Sequence, residues 1–487
     1  MIVDRIYRWA LTQPAKIAFI HNDESLTYSL FARAIDSTRR FFSGQNLPAG
    51  KTAVVLISNL RDAWLAILSL RTLGLNTIVV RSMGEAEKLN IKDVACVVIT
   101  QAERTDHKLA GQSLAGVKII AIPPEIYVVS RAIPVAIDKT YSDTGHILYT
   151  SGTTGVNKKL FIGTLHEDQR NDARVRYQSF SVDTVYHGAR FSLSTSLGYK
   201  CTSAVWHAGG CVVLDQLSGG YSHLLRHKIT CAFVNVPILK EYLRMSDASD
   251  EPRHEFDLML GGGYLPAGLA RMAAEKLTPN IWNYYAATEF GTPMMQAAFG
   301  AEGNLDWMAP ADGVTVEIVD EDGGQCPLDR EGHLRFQLRD IDCSAYLDDA
   351  EASARVFRDG FFYPGDLAIR RSDGKIRVLG RNADVIIIGG DKYASAPIEQ
   401  AIQQRLGIDE VCVFTRMTED GDDELAVCIQ ADRQPTEADI AWLRAQIGRV
   451  KTIRVSVFDA FPRTAAGMSK IDRATLKARA FSEKLQA

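Results

Sequence analysis

The amino-acid sequence predicts an α/β fold, with a large N-terminal α/β domain that carries a β-rich subdomain and a small C-terminal α+β domain. Three observations predict it. Short apolar runs of strand type alternate with stretches of helix length through roughly the first 280 residues, the pattern of β-α-β units. From Gly313 the texture changes to strands joined by polar turns. The chain has 487 residues, more than one ordinary core needs, and a strand–helix set of the size of a separate small domain follows Arg381.

The elements follow in order. "TAVVLISN" from Thr52 is a buried strand, "LRDAWLAILSLRTLG" a helix stopped by Gly74, and "NTIVV" from Asn76 the next strand. A strand–helix–strand unit of this length implies parallel pairing. "ACVVIT", ending at Thr100, and "VKIIAI", ending at Ile122, repeat the short apolar type. "VTVEIVDEDG", "GHLRFQL" and "IRVLG" form the β-rich part. Beyond "GRNAD" come the run "VIIIGG", a helix over Ala396–Arg405, strands "EVCVFTR" and "ELAVCIQA", a helix over Ala438–Ile447, the strand "TIRVSVF" and a polar helical tail. The domains are therefore 1–381 and 382–487, joined by a short hinge without a Pro/Gly/Ser-rich linker.

Composition excludes several function classes. Lys+Arg number 55 and Asp+Glu 59, a formal net charge of -4, and neither part is strongly basic, so there is no electrostatic case for nucleic acid. The eight cysteines form no CxxC pair, as expected of free, mostly buried thiols in a reducing compartment. The opening "MIVDRIYRWALTQPAK" carries Asp4, Arg5 and Arg8, which excludes a signal-peptide core. The most apolar window, Ala63–Val80, is interrupted by Arg71 and Asn76, which argues against a membrane span. A cytoplasmic location is the expectation.

"YTSGTTGVNKKL" (149–160) gathers small donors and cations. Such a run serves either as a polar surface turn or as a loop that grips a polyanion: Gly lets backbone N–H groups converge, Ser/Thr hydroxyls add donors, and Lys158 and Lys159 add charge. It is not the GxxxxGK[ST] pattern. Five further stretches follow in order: "GGGYLP" (261–266), "NYYAATEFG" (283–291), "YPGDLA" (363–368), "GRNADVIIIGGDKY" (380–393) and "PRTAAGMSKIDR" (462–473). His223 and His227 lie four apart in "HLLRH" without a third metal ligand, so a solvated helix face is the simpler reading. No GxSxG nucleophile elbow is present.

In this order the six stretches resemble the adenylate-forming superfamily of acyl-CoA synthetases, peptide-synthetase adenylation domains and luciferases. The resemblance covers nearly the whole chain and implies that the C-terminal domain is a mobile lid. It implies ATP and Mg²⁺, a small carboxylic acid as substrate, and CoA as the acceptor, with an acyl or peptidyl carrier protein in trans as the alternative. By resemblance, Thr150, Ser151, Gly152, Thr153, Thr154, Gly155 and Lys158 would hold the β- and γ-phosphates. Thr288 would contact the α-phosphate and Glu289 would ligate the metal. Gly261, Gly262 and Gly263 would line the adenine site, with Tyr285 stacked on the base and Ala286 beside it. Asp366 would accept the ribose hydroxyls, a bidentate task suited to a carboxylate, and Arg381 would support the ribose. Lys470 would bridge the carboxylate and the α-phosphate. After lid rotation, Gly389 and Gly390 would face the pantetheine.

The pattern is broken in places. Asn157 and Lys159 replace the family's Pro and Gly, and Ala286 replaces a Gly that lies by the acyl pocket. Thr195 stands about where a pocket His is common, and Ala383 where the hinge usually has Asp or Lys. Met468 and Ser469 precede Lys470 as an insertion. These departures keep open a nucleotide-binding protein with altered or lost catalysis, and a ligase that stops at the adenylate or passes it to an amine.

Overall fold

The computed structural model describes all residues of the chain except 23, 106–115, 128–143, 151–157, 189–190, 215–225, 247–251, 263–264, 301–304, 389–390, 418–422, 433, 448–451, 465–469 and 483–487. Strands Lys118–Ile122, Val94–Thr100, Thr52–Val55, Asn76–Val79 and Gly145–Thr150 lie side by side and parallel. Lys158–Gly163 closes that edge as the antiparallel partner of Gly145–Thr150.

A second sheet runs in the order Ala309–Pro310, Met295–Ala298, Ile281–Tyr285, Asp257–Gly261, Cys231–Val234, Val185–His187, Cys211–Val213, Ile17–His21, Glu24–Thr27. From Ile281–Tyr285 to Ile17–His21 every neighbouring pair is parallel. Buried parallel strands need both faces covered, hence their continuous apolar runs.

A chain of rings fills the space between the sheets. Phe19 meets Phe31, Phe31 meets Trp206 and Trp206 meets Trp64, each at 4.9 Å between centroids. Trp64 then stacks on Tyr199 at 5.0 Å, and Tyr199 on His146 at 4.0 Å. Beside this stack the Arg71 guanidinium is wholly buried, held by both Glu167 oxygens at 2.8 Å and by the Tyr199 hydroxyl at 2.7 Å. Burial alone would weaken the proton affinity of Arg71; the Glu167 carboxylate outweighs it and raises it. Burial, and then the Arg71 charge, push the His146 imidazole down to about 3, so it stays neutral.

The contacts divide the chain into two compact units: Met1–Gly313 with Leu338–Ala354, and Val314–Gln337 with Arg355–Ala487. The β-rich strands group with the C-terminal elements, and position 381/382 falls inside the second unit. There, Val316–Val319, Gly332–Gln337, Phe361–Phe362, Asp366–Arg370 and Ile376–Arg381 build an antiparallel sheet. The last part pairs Glu410–Met417, Asp423–Gln430 and Thr452–Phe458. Alternation sorts its two faces. Val411, Val413, Leu425, Val427 and Ile429 pack under Ile402 and Leu443, while Cys412, Phe414, Ala426 and Cys428 pack under Leu476 and Ala480.

All eight cysteines are free, seven of them buried. Among the described residues no helix is long and apolar enough to cross a membrane. Because Glu167 neutralises a fully buried guanidinium, Glu167→Gln is expected to destabilise the protein by about 3 kcal/mol, read as a lower denaturant midpoint. The double replacement Arg71→Met with Glu167→Leu should recover most of that loss. An unchanged midpoint for Glu167→Gln would contradict the assignment.

Candidate functional site

Two parallel neighbours, Asp257–Gly261 and Ile281–Tyr285, end side by side, with Gly261 opposite Tyr284. Carboxyl ends of parallel strands are where α/β sheets present ligand sites. The pairing brings Gly261 and Gly262 next to Tyr285 and Ala286. A Cβ on Gly261 would stand 3.1 Å from the Phe233 ring and 3.2 Å from the Tyr284 carbonyl, and Gly262 has φ +85°, so side chains are poorly tolerated at both positions. Gly263 lies outside the described residues. Tyr285 is half-buried and Ala286 exposed.

The chain then turns through Thr288 and Glu289. Glu289 is buried, and its Oε1 accepts from the Tyr346 hydroxyl at 2.7 Å. The turn is held from behind by its carbonyls. Lys200 donates to Thr288 O at 2.6 Å and to Phe290 O at 3.0 Å. Glu289 O accepts from Cys343 N at 2.8 Å and from Arg170 Nη2 at 3.2 Å. Gly291 O accepts from Arg174 Nη2 at 2.7 Å, and Gly291 N donates to Asp342 at 2.8 Å. Lys200 is buried; burial, and then the charges of Arg170 and Arg174, push its proton affinity well down.

Thr150 and Lys158 are the paired ends of an antiparallel hairpin. Ser151, Gly152, Thr153, Thr154 and Gly155, between them, lie outside the described residues. The Lys158 ammonium sits 2.5 Å from Asp349, and Lys159 bonds Asp348 at 3.0 Å and Asn90 O at 3.1 Å. The segment from Tyr346 to Asp349 therefore touches both the hairpin, through Asp349, and the turn, through Tyr346. Thr195 caps the helix Ser196–Ala208: its hydroxyl accepts from Gly198 N at 3.2 Å and donates to Ser192 O at 2.7 Å. That local duty occupies the hydroxyl read as a pocket group.

In the second unit, Asp366 begins one strand and Arg381 ends its antiparallel neighbour, opposite each other in register. Arg381 Nε lies 3.0 Å from Asp366 Oδ1, and Arg381 also donates to Pro364 O. Asp366 is buried, and the Arg381 guanidinium is its ion-pair partner there. Lys470 is exposed, and its carbonyl accepts from Thr464 N at 2.8 Å beside the Arg463–Ile471 bridge. Gly389, Gly390, Met468 and Ser469 lie outside the described residues. Arg473 ties the segment after Lys470 to the residues that follow Arg381: it pairs with Asp384 at 3.1 Å and Glu399 at 2.9 Å.

Sequence reasoning missed Lys200, Arg170, Arg174, Tyr346, Asp349 and the anchoring role of Arg473. One signal was present. Lys200 is the lone Lys in "SLGYKCTSAVWHA", a buried helix whose other residues, His207 apart, are small, apolar or aromatic.

A family model for AMP-binding enzymes matches residues 6–338. A probable CoA ligase from Humulus lupulus is 27% identical over 363 residues, which span 68% of this chain and 62% of that protein's length. A feruloyl-CoA synthase from Amycolatopsis is 26% identical over 69% of each chain. Among solved structures, the o-succinylbenzoate CoA synthetase from Bacillus subtilis, in complex with its acyl-adenylate intermediate, superposes with TM-score 0.81 at 19% identity, covering 97% of this chain and 98% of that one. The shared architecture is a large N-terminal and a small C-terminal part in a mixed α/β fold.

Because Asp349 holds the Lys158 ammonium, Asp349→Asn is expected to release it and raise affinity for inorganic tripolyphosphate about two- to five-fold, measured by calorimetry. Adding Lys158→Ala should abolish the gain. A gain that survives Lys158→Ala, or no gain, would contradict the pairing as the restraint on Lys158.

Proposed function

This chain belongs to the AMP-binding enzyme family, and on that premise we propose that it is an AMP-forming acid–thiol ligase, joining a small carboxylic acid to AMP and then passing the acyl group to the thiol of CoA. The observation that carries the reading is the pairing of Asp257–Gly261 with Ile281–Tyr285, which sets the glycine pair beside Tyr285 immediately before Thr288 and Glu289. That is a backbone-lined slot for a flat base, followed at once by a hydroxyl and a buried carboxylate.

A carboxylate resists thiol attack because its charge is delocalised. Its oxygen attacks the α-phosphorus of ATP, the bond to the bridging oxygen breaks, and pyrophosphate leaves. The thiol sulfur then attacks the carbonyl carbon of the mixed anhydride, the carbon–oxygen bond to AMP breaks, and the thiol proton passes to solvent. Both steps gather negative charge on phosphate, so fixed cations and donors lower the barrier. Thr150, Lys158 and the loop between them bind the outer phosphates, Thr288 the α-phosphate, and Tyr285 with Gly261 and Gly262 the adenine. Asp366, paired with Arg381, accepts the two ribose hydroxyls. Lys470 neutralises the forming adenylate.

Glu289 suits Mg²⁺, which takes one or two carboxylates with substrate phosphates and water. Tyr346 fixes one of its oxygens, and among the described residues the other accepts no hydrogen bond. The ion, when bound, supplies charge neutralisation for the phosphates. The free cysteines fit a reducing compartment such as the cytoplasm.

ATP–pyrophosphate exchange across aryl, short-acyl and medium-acyl acids tests the reading. At least one acid should support exchange, and Lys470→Ala should lower it roughly 100-fold. Asp366→Ala should raise KM for ATP about tenfold with little change in KM for the acid. Product analysis with CoA, a carrier protein or an amine assigns the acceptor; the reading expects the CoA thioester and AMP. Tight ATP binding without exchange for any acid would instead mark a nucleotide-binding protein with lost catalysis.

A further inference from the structure

Four successive carbonyl oxygens, of Thr288, Glu289, Phe290 and Gly291, each accept from one of three buried basic side chains. Arg170 and Arg174 stand one turn apart on helix Thr164–Tyr177, and Lys200 on helix Ser196–Ala208. The approach is close: a Cβ on Gly291 would come within 3.0 Å of the Arg170 side chain and 3.1 Å of Ile341. Arg170 also donates to Ile341 O and to Cys343 Sγ.

The charge balance here is unusual. Arg71, buried against the same two helices, has Glu167. Lys200, Arg170 and Arg174 make no ion pair with a carboxylate among the described residues; burial, and then the charges of Arg170 and Arg174, act on Lys200 more strongly than Cys343 or Glu289 does. Carbonyl dipoles restore only part of the hydration a buried cation loses. Apolar side chains would serve the fold better. The arrangement makes sense if donors are wanted behind the turn, so that the backbone oxygens, which repel phosphate, are turned toward them and the two guanidiniums supply positive charge there.

We propose that Lys200, with Arg170 and Arg174, is a positioning group for the polyphosphate of ATP: the three side chains brace the Thr288–Gly291 turn by its carbonyls, and the two guanidiniums set a positive potential behind Thr288 and Glu289. Lys200 is the central member because it bonds the residues on both sides of Glu289. The proposal rests on Thr288 and Glu289 being the residues that face the nucleotide.

Calorimetric titration of the full chain with a non-hydrolysable ATP analogue and Mg²⁺ tests it, using Lys200→Met, which keeps length and removes the donor, and Lys200→Arg, which keeps donors. Lys200→Met should bind at least about tenfold more weakly, with a melting midpoint within about 3 °C of the parent and KM for the acid within roughly twofold. Lys200→Arg should recover most of the affinity. Should Lys200→Met not fold, Arg174→Met must show the same loss. Unchanged affinity in the folded Met variant, or equal losses in Met and Arg variants with lowered midpoints, overturns the proposal. Binding by the parent without acid-dependent exchange contradicts the ligase reading alone, and the same titration still decides the brace. Absence of analogue binding by the parent overturns both.

Discussion

The packing of helix Thr164–Tyr177 on helix Ser196–Ala208 is the contact on which both the core and the candidate site of the first unit depend. Asn171 and Ser203 join the two helices at 2.7 Å. One part of the pair supplies Glu167 and Tyr199, which make a buried Arg71 tolerable between the two sheets. Another part supplies Arg170, Arg174 and Lys200, which reach the backbone of the turn after Ile281–Tyr285. A shift of one helix against the other would disturb the charge balance of the core and the shape of the turn together. Stability and site geometry are thereby linked through one interface.

That linkage explains how so short a turn can be specific. Thr288 and Glu289 follow directly from the end of a sheet strand, and their carbonyls are all engaged, so the peptide planes have little freedom left. Tyr346 restrains the Glu289 carboxylate, and Asp349, three residues on, restrains Lys158. A carboxylate on Lys158 is a natural stand-in for the anion the hairpin is proposed to take. The second unit uses a simpler device: strand register alone puts Asp366 opposite Arg381.

Much of this was legible in the sequence, because local pattern decides it. Each apolar run from "TAVVLISN" to "TIRVSVF" became a strand, and Gly74 ended its helix with φ +83°. Period-2 alternation in "EVCVFTR" and "ELAVCIQA" set both faces of the last sheet. The candidate residues were found where short motifs carry the chemistry in consecutive positions. Arg381 does stand ahead of the strand Val385–Ile388, as "GRNAD" before "VIIIGG" implies; what the apolar pattern did not show is that it also ends Ile376–Arg381, where pairing with Asp366 extends the strand beyond its apolar residues. The three bracing side chains escaped for a different reason. Their partners are carbonyls 88 to 119 residues away, and a carbonyl acceptor leaves no trace in side-chain identity. Nor does sequence show that Glu167 is consumed by Arg71 while Lys200 has no such anion.

The central claim is that a carboxylate oxygen of the substrate becomes bonded to the α-phosphorus of ATP. Mass spectrometry of AMP formed from an acid labelled with ¹⁸O in both carboxylate oxygens, in the presence of CoA, tests it most directly. One ¹⁸O in the AMP phosphate is the result expected, because thiol attack breaks the carbon–oxygen bond and leaves that oxygen on phosphorus. Unlabelled AMP, or label appearing in inorganic phosphate or pyrophosphate, would contradict the account.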